Sequence, residues 1–361
     1  LDTRIDAFID IVTAFRQLVS EHKIDLREHD FRPARTALAN GSPAIFTSSG
    51  ASVQFKDPRV TVLIPSMGKL GTEAIAAVFK GMGVNAKPLP PADEAILKLG
   101  RGNTSCKECL PLILTTGALL SYVRNHKKEG EIVIYFMATG SGPCRFGQYY
   151  IFMEDLIKRL ELPDVAILTL TSENSYLGMT KDFELRAWWA VILSDIMEDI
   201  RSMLLANAKM PDNALASLDA IWDKILHGLA MDDFKHLESI LTKAAATLAA
   251  IPLKYPAEHV PTLSLTGEIF VRRDGLSRQN LTEKLAEKGF ATICSPVAEW
   301  LQYSEYLVEN GFIDHELSLL EKQRFKIRKQ FMARYERTLR SILSTSGLIR
   351  REVPNIREII D

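Results

Sequence analysis

Cysteine is scarce in this chain, with only four among 361 residues. Small secreted domains that are stabilised by disulfides are much richer in cysteine, so a disulfide framework is not expected here. Two of the four, Cys106 and Cys109, are separated by only two residues. That spacing favours a metal site in a reducing compartment. We therefore predict a cytoplasmic protein that binds a metal through thiolates.

Long apolar runs and an excess of one charge are also missing. No stretch of about 18 apolar residues occurs, which argues against a transmembrane helix. The net charge is only −1, from 44 basic and 45 acidic residues that are spread along the chain. The sequence therefore predicts neither a nucleic-acid partner nor a membrane partner. Hydrophobic residues make up 47% of the chain, enough to bury a large core.

The hydrophobic pattern divides the chain into four regions. Residues 1–57 are predicted to be a mostly helical N-terminal segment, with an amphipathic helix from Arg4 to His22 followed by a loop. Residues 58–172 are predicted to form a first α/β domain, residues 173–260 a helical insert, and residues 261–361 a second α/β unit with C-terminal helices. The predicted fold is thus α/β, with two doubly wound, Rossmann-like domains, a helical insert and a C-terminal helical tail.

Apolar stretches give the predicted strands and helices of both units. In the first, strands are predicted at residues 60–65, 84–89, 132–137 and 165–170, with helices at about 72–80 and 147–160. In the second α/β unit, strands are predicted at residues 263–271 and 290–294, a helix at 281–288 and a tail helix at 315–343.

The four cysteines stand at predicted turns. Cys106 and Cys109 form a C-x-x-C pair, and Cys144 follows a strand and a Gly-rich turn. Cys294 likewise ends a strand and precedes a predicted helix. Ligands of α/β sheets gather at the carboxyl ends of strands, and helix N-termini there stabilise negative charge. We therefore predict that all four cysteines bind one metal centre.

Thiolates are soft ligands that select zinc or iron–sulfur clusters. Structural zinc ribbons normally use two close C-x-x-C pairs, and the wider scatter here favours iron–sulfur. Two alternatives to a metal site remain open: the C-x-x-C pair is a redox-active dithiol, or the cysteines are unrelated to one another. For Cys294 the alternative is a buried structural cysteine. The seven histidines fall mostly on polar helices or loops, so they are not expected to be ligands.

Two other motifs lack residues that their chemistry requires. Gly68-Lys69 follows a strand, but the upstream glycine of a phosphate-binding loop is missing and Leu70 replaces its Ser or Thr. Thr139-Gly140-Ser141-Gly142 lacks the leading glycine of a nucleophile elbow. Neither ATP hydrolysis through a phosphate loop nor serine hydrolase chemistry is therefore expected.

Three stretches carry a family resemblance: Asn103 to Pro111 (NTSCKECLP), Thr139 to Tyr149 (TGSGPCRFGQY) and Thr266 to Arg272 (TGEIFVR). Together they resemble the 2-hydroxyacyl-CoA dehydratase component family. The similarity is closest to its acyl-CoA dehydratase activase-related branch, relatives of the double-cubane cluster proteins. It spans about residues 58–300, and GPCRFGQY is its most specific part.

The resemblance implies an oxygen-sensitive protein with a 4Fe–4S cluster. It implies low-potential electron transfer, with electrons supplied by an ATP-hydrolysing activator of the actin-like fold. In that branch the domain often ends a longer chain, so we expect the activator on the same polypeptide or as a separate partner. A homodimer is also expected.

The resemblance implies Cys106, Cys109 and Cys144 as cluster ligands. With Cys294 as a fourth ligand, the protein is expected to be an electron carrier in an ATP-dependent reductase or dehydratase system. Without Cys294, one iron is open and a catalytic dehydratase or reductase subunit is the alternative. A zinc-stabilised scaffold is a second alternative. A double-cubane cluster needs more thiols than the chain has, so a single cubane is preferred.

Three residues next to Cys144 are expected around the cluster. Ser141 and Gly142 belong to the turn before it. Arg145 follows it at a helix start, where a guanidinium can donate to cluster sulfur or attract an acidic partner. The alternative for Arg145 is a structural salt bridge.

Overall fold

The computed structural model describes residues 9, 12–13, 15–21, 31–39, 42–105, 107–140, 144–170, 181–231, 233–310 and 319–350. The chain divides into two compact units, Leu1–Arg32 and Pro33–Asp361. In the first unit, residues 15–20 are helical and Gln17 Nε2 donates to the Glu21 carboxylate at 2.8 Å. Both ends of the helix predicted from Arg4 to His22 lie outside the described residues.

The second unit begins with a three-stranded antiparallel sheet in the order β1–β2–β3. Its strands are β1 (Arg35–Ala39), β2 (Ser42–Phe46) and β3 (Ser52–Gln54). The prediction of a mostly helical segment followed by a loop was therefore wrong for these residues. Asn40-Gly41, which was interpreted as part of a loop, is in sequence the pair most typical of a tight β-hairpin.

A four-stranded parallel sheet follows, in the order β5–β4–β6–β7. The four predicted strands are confirmed, each shorter than expected: β4 (Val60–Ile64), β5 (Ala86–Pro88), β6 (Ile132–Phe136) and β7 (Val165–Leu168). All five residues of β4 are buried, as expected for a strand covered on both faces. The antiparallel sheet adjoins the edge strand β7, where Thr36 Oγ1 donates to the carbonyl of Ile167 at 3.0 Å.

Four helices accompany the parallel sheet: α1 (Lys69–Gly81), α2 (Glu94–Arg101), α3 (Leu110–Asn125) and α4 (Tyr149–Arg159). The sequence predicted α1 and α4 but not α2 and α3. Helix α3 is apolar on nearly every face and buried, so it has no amphipathic period by which sequence reasoning could have recognised it.

The predicted helical insert is confirmed as three helices: α5 (Lys181–Asn207), α6 (Pro211–Ala230) and α7 (Phe234–Ala249). The insert packs on α1, where Trp222 Nε1 donates to the Glu73 carboxylate at 2.8 Å. Within the part of the chain that the structure describes, no helix is both long and apolar enough to cross a bilayer.

The C-terminal region contains a two-stranded parallel sheet formed by β8 (Thr262–Leu265) and β9 (Ala291–Cys294). Its helices are α8 (Leu281–Ala286), α9 (Val297–Glu309) and α10 (Leu319–Ser344). The strand predicted over 263–271 ends early because the Glu268 carboxylate accepts the N–H groups of Phe270 and Val271, which fixes a turn. The α/β class is confirmed, and in the described residues the C-terminal α/β region is a single βαβ arrangement.

A buried polar network closes the amino-terminal edge of the parallel sheet. Glu131 is 7% exposed and accepts hydrogen bonds from Thr61 Oγ1 at 2.6 Å, Tyr122 Oη at 2.9 Å and the Lys128 N–H at 2.9 Å. Burial raises the pKa of Glu131, but these hydrogen bonds and Lys87 outweigh it and hold that pKa below its usual value. The ionised carboxylate therefore stabilises the fold.

Replacing Glu131 with Gln should destabilise the protein by about 1–3 kcal/mol at neutral pH, because an amide N–H₂ would face buried donors. Since the folded pKa of Glu131 is lowered, its stabilising effect is present above the unfolded pKa of about 4.3 and is lost as pH falls through the folded value. The E131Q variant should therefore lose less stability on acidification than the wild type. Urea unfolding at several pH values measures both effects.

The matched control is Glu129→Gln, which changes an exposed carboxylate two residues away. This control should leave stability within about 0.5 kcal/mol. Equal stability of E131Q and wild type at neutral pH would contradict the assigned role.

Candidate metal-binding site

The strand order creates a crevice at the carboxyl edge of the parallel sheet. The chain passes from β4 to β5 on one side and then to β6 on the other side of β4. Residues that follow β4 and β6 therefore flank the place where ligands of such sheets bind. At Gly68, after β4, φ is 91° and an added Cβ would lie 3.1 Å from the carbonyl oxygen of Arg273. The turn after β4 therefore touches the segment that follows β8.

Two of the predicted ligands are described at this edge. Cys109 immediately precedes α3, and Cys144 immediately precedes a 3₁₀ turn that continues into α4. Both thiols are free; Cys109 is half-buried and Cys144 is exposed. The positive end of a helix dipole at such a position favours a negatively charged cluster. Cys106, Ser141 and Gly142 lie outside the described residues, so their predicted roles stay predictions.

Tyr149, the first residue of α4, links these two cysteines. Its side chain is buried, and its phenol interacts with the side chain of Cys109. Burial raises the pKa of Tyr149 most, and the interaction with Cys109 and the charges of Cys144 and Glu268 raise it further. The phenol therefore stays protonated at neutral pH and is available as a donor to sulfur.

Arg145 connects the two cysteine-bearing segments. Its Nη1 donates to the carbonyl oxygen of Lys107, inside the C-x-x-C loop, at 3.2 Å. Neither predicted role, donation to cluster sulfur or attraction of an acidic partner, is excluded by this bond. The observed contact holds the loop before Cys109 against the turn that carries Cys144.

A close backbone contact sets the position of the Cys144 turn. An added Cβ on Gly147 would lie 2.4 Å from the carbonyl oxygen of Gly140, so only glycine fits there without a shift. Thr139 Oγ1 also donates to the Gly147 carbonyl, at 3.4 Å. The loop after β6 is therefore fastened to the turn that follows Cys144.

Sequence reasoning missed Glu268 as a member of the site. Its carboxylate is fixed by the backbone N–H groups of Phe270 and Val271, at 2.9 and 2.8 Å, and its charge acts on Tyr149. Glu268 lies in the stretch TGEIFVR, which carried part of the family resemblance. That stretch was the available signal, but nothing in the sequence showed which of its side chains approaches the cysteines.

Cys294 has different surroundings. It is the last residue of β9, is 7% exposed, and its Sγ donates to the carbonyl oxygen of Arg272 at 3.5 Å. Burial raises the pKa of the Cys294 thiol, and the positive charges of Arg273 and Arg272 offset this only in part. Burial therefore favours the thiol form of Cys294, and a bound metal would have to displace its proton.

A buried ion-pair network surrounds the end of β9. Arg273 Nη2 donates to Asp195 Oδ1, and Asp195 Oδ2 accepts from the Ala298 N–H at 3.1 Å. Burial raises the pKa of Asp199 to about 7, although Arg340 and Arg273 act in the opposite direction. The network joins α5 to the β9 edge, and Cys294 belongs to it through the contact of its N–H with Asp199 at 3.4 Å.

The donor chemistry of Cys109 and Cys144 fits an iron–sulfur cluster. Both are free thiols at helix starts, and the same buried phenol lies near both. Among the residues that the structure describes, no group of three or more His, Cys, Asp or Glu has the arrangement of a metal site, and Cys106 is not among those residues. Cys109, Cys144 and Cys294 therefore do not form such a group with one another.

Comparison of the chain with protein-family models, with curated proteins and with solved structures gives no match.

Gly147→Ala should weaken metal binding by about tenfold or more, because the added methyl group must displace the backbone that sets Cys144. The matched control is Gly140→Ala, on the other side of the same contact, where an added Cβ meets nothing within 4 Å. Metal content after anaerobic purification, with circular dichroism to confirm folding, measures the effect. Wild-type metal content in G147A would contradict the role given to this contact.

Proposed function

We propose that this protein is the iron–sulfur component of an ATP-dependent reductase or dehydratase system, and that Cys106, Cys109 and Cys144 hold a 4Fe–4S cluster. The observation that carries the proposal is that Arg145 Nη1 donates to the Lys107 carbonyl at 3.2 Å, which brings the C-x-x-C loop beside the Cys144 turn at the carboxyl edge of the parallel sheet. Cys106 completes the set through the C-x-x-C spacing. The resemblance to the 2-hydroxyacyl-CoA dehydratase component family supports the same assignment.

The residues around the cysteines have defined tasks in this proposal. When bound, the cluster supplies one-electron chemistry at low potential. Tyr149 donates a hydrogen bond to the Cys109 sulfur, which reduces the negative charge there and raises the potential. Arg145 keeps the C-x-x-C loop beside the Cys144 turn through its bond to the Lys107 carbonyl.

Cys294 decides between an electron carrier and a catalytic subunit. The carrier expected from the sequence needs its thiolate as the fourth ligand. Its Sγ instead donates to the Arg272 carbonyl, and its backbone N–H contacts Asp199 of the buried ion-pair network. This arrangement favours the catalytic alternative, in which one iron has no cysteine ligand and is open to substrate. A zinc-stabilised scaffold remains the contrasting function, since thiolates alone do not select iron over zinc.

The partners belong to the same proposal. The protein would receive electrons from an ATP-hydrolysing activator, in the cytoplasm and in the absence of oxygen, and would act as a homodimer.

We also propose that the C-terminal α/β region is a second Rossmann-like domain. The parallel pair β8–β9 with α8 between its strands supports that interpretation, because it is the βαβ unit from which such domains are built.

Cys109→Ala and Cys144→Ala should each remove most of the iron, because each would delete a cluster ligand. Cys294→Ala should retain the full iron and sulfide content of the wild type. Iron, sulfide and zinc analysis of anaerobically purified protein, with the visible absorption spectrum, measures this.

Full iron content in C144A would overturn the cluster assignment. Zinc in place of iron in the wild type would support the scaffold. Loss of iron in C294A, with C294S no better, would restore Cys294 as a fourth ligand and favour the carrier.

A further inference from the structure

A cavity separates the first α/β unit from the C-terminal βαβ unit, and nothing above assigns it a role. Its volume is about 460 Å³, within the range of small-molecule pockets. One wall comes from α2 and the start of α3, and the other from residues 276–284. The lining includes the apolar and basic residues Leu97, Arg101, Leu110, Leu114, Leu276 and Lys284.

The lining combines four leucines with six polar or charged residues. The four leucines form the apolar part, while Arg101 and Lys284 bring two positive charges against the single carboxylate of Glu94. Such a lining suits an organic anion with an aliphatic body. The leucines remove the aliphatic chain from water. A cation near the acidic end provides a charge-assisted hydrogen bond.

The wall formed by α2 and α3 is rigid because the two helix backbones touch. An added Cβ on Gly100 would lie 2.0 Å from the carbonyl oxygen of Ile113, and one on Gly117 would lie 2.0 Å from that of Ile96. The two helices are therefore packed tightly against each other in this wall. A pocket that is already formed binds its ligand at a lower entropic cost.

The opposite wall is fixed by buried polar contacts. The N–H and Oγ of Ser277 both donate to Asp274 Oδ2, at 2.8 and 2.6 Å, and Arg278 Nη1 donates to the Arg272 carbonyl at 3.2 Å. Gln279 and Asn280, which also line the cavity, both have φ of 53°, a conformation that is costly for residues other than glycine.

We propose that this cavity binds a medium-chain carboxylate, with its chain against the leucines and its carboxylate near Lys284. Leu110 lines the cavity and directly follows Cys109, so the ligand would lie beside the cysteine-bearing edge. The binding itself does not depend on the proposed cluster, because none of the lining residues is a proposed cluster ligand.

Isothermal titration of the full chain with octanoate, kept below its micelle concentration, tests the proposal. Octanoate should bind saturably at one site, and 1-octanol, which lacks the charge, should bind at least about fivefold more weakly. Lys284→Gln should weaken octanoate binding by about fivefold or more. Leu276→Trp, which fills the cavity, should abolish it.

The matched control is Lys288→Gln, an exposed lysine just beyond α8 that does not line the cavity. It should bind octanoate as the wild type does. The proposal is overturned if octanoate fails to bind saturably, if octanol binds equally well, or if K288Q weakens binding as much as K284Q. None of these results would contradict the cluster assignment.

Discussion

The position of β4 between β5 and β6 is the constraint on which the rest of the structure depends. Because all four strands are parallel, their carboxyl ends lie at one edge, and the crossover on either side of β4 opens that edge. The helix that carries Cys109 at its start and the turn that carries Cys144 both meet there. The two thiols are 35 positions apart in sequence, yet Tyr149 lies close to both.

Cys109 and Cys144 differ from Cys294 mainly in electrostatic surroundings. The first two lie at helix starts, where N–H groups favour negative charge. Cys294 lies in a buried region that already contains the Asp195–Arg273 ion pair and the carboxyl group of Asp199. Burial raises the pKa of the Cys294 thiol, Arg273 and Arg272 lower it without compensating for the burial, and Asp199 and Asp195 raise it. The ion pair is best understood as a link between α5 and the β9 edge, since a buried pair adds little net stability.

Much of the first α/β domain, predicted over residues 58–172, follows directly from sequence. Continuous apolar strands such as Val60–Ile64 predicted the parallel sheet, and turn residues predicted where the cysteines stand. The antiparallel pairing of β1 with β2 was missed because Asn40-Gly41 was interpreted as part of a loop, although this pair is a hairpin signal in the sequence. Helix α3 was missed because its burial on all sides erases the helical period. The distinct surroundings of Cys294 could not be foreseen, since they depend on Asp195 and Asp199, about a hundred positions earlier in the chain.

The central claim is that Cys109 and Cys144 bind the same cluster beside Tyr149. Anomalous diffraction at the iron edge, from crystals of anaerobically purified protein, tests it most directly. The claim predicts iron about 2.3 Å from the Sγ atoms of both Cys109 and Cys144, the usual length of a thiolate–metal bond, with Cys294 Sγ still directed at the Arg272 carbonyl. Iron bound elsewhere, or zinc at these two sulfurs, would contradict the claim.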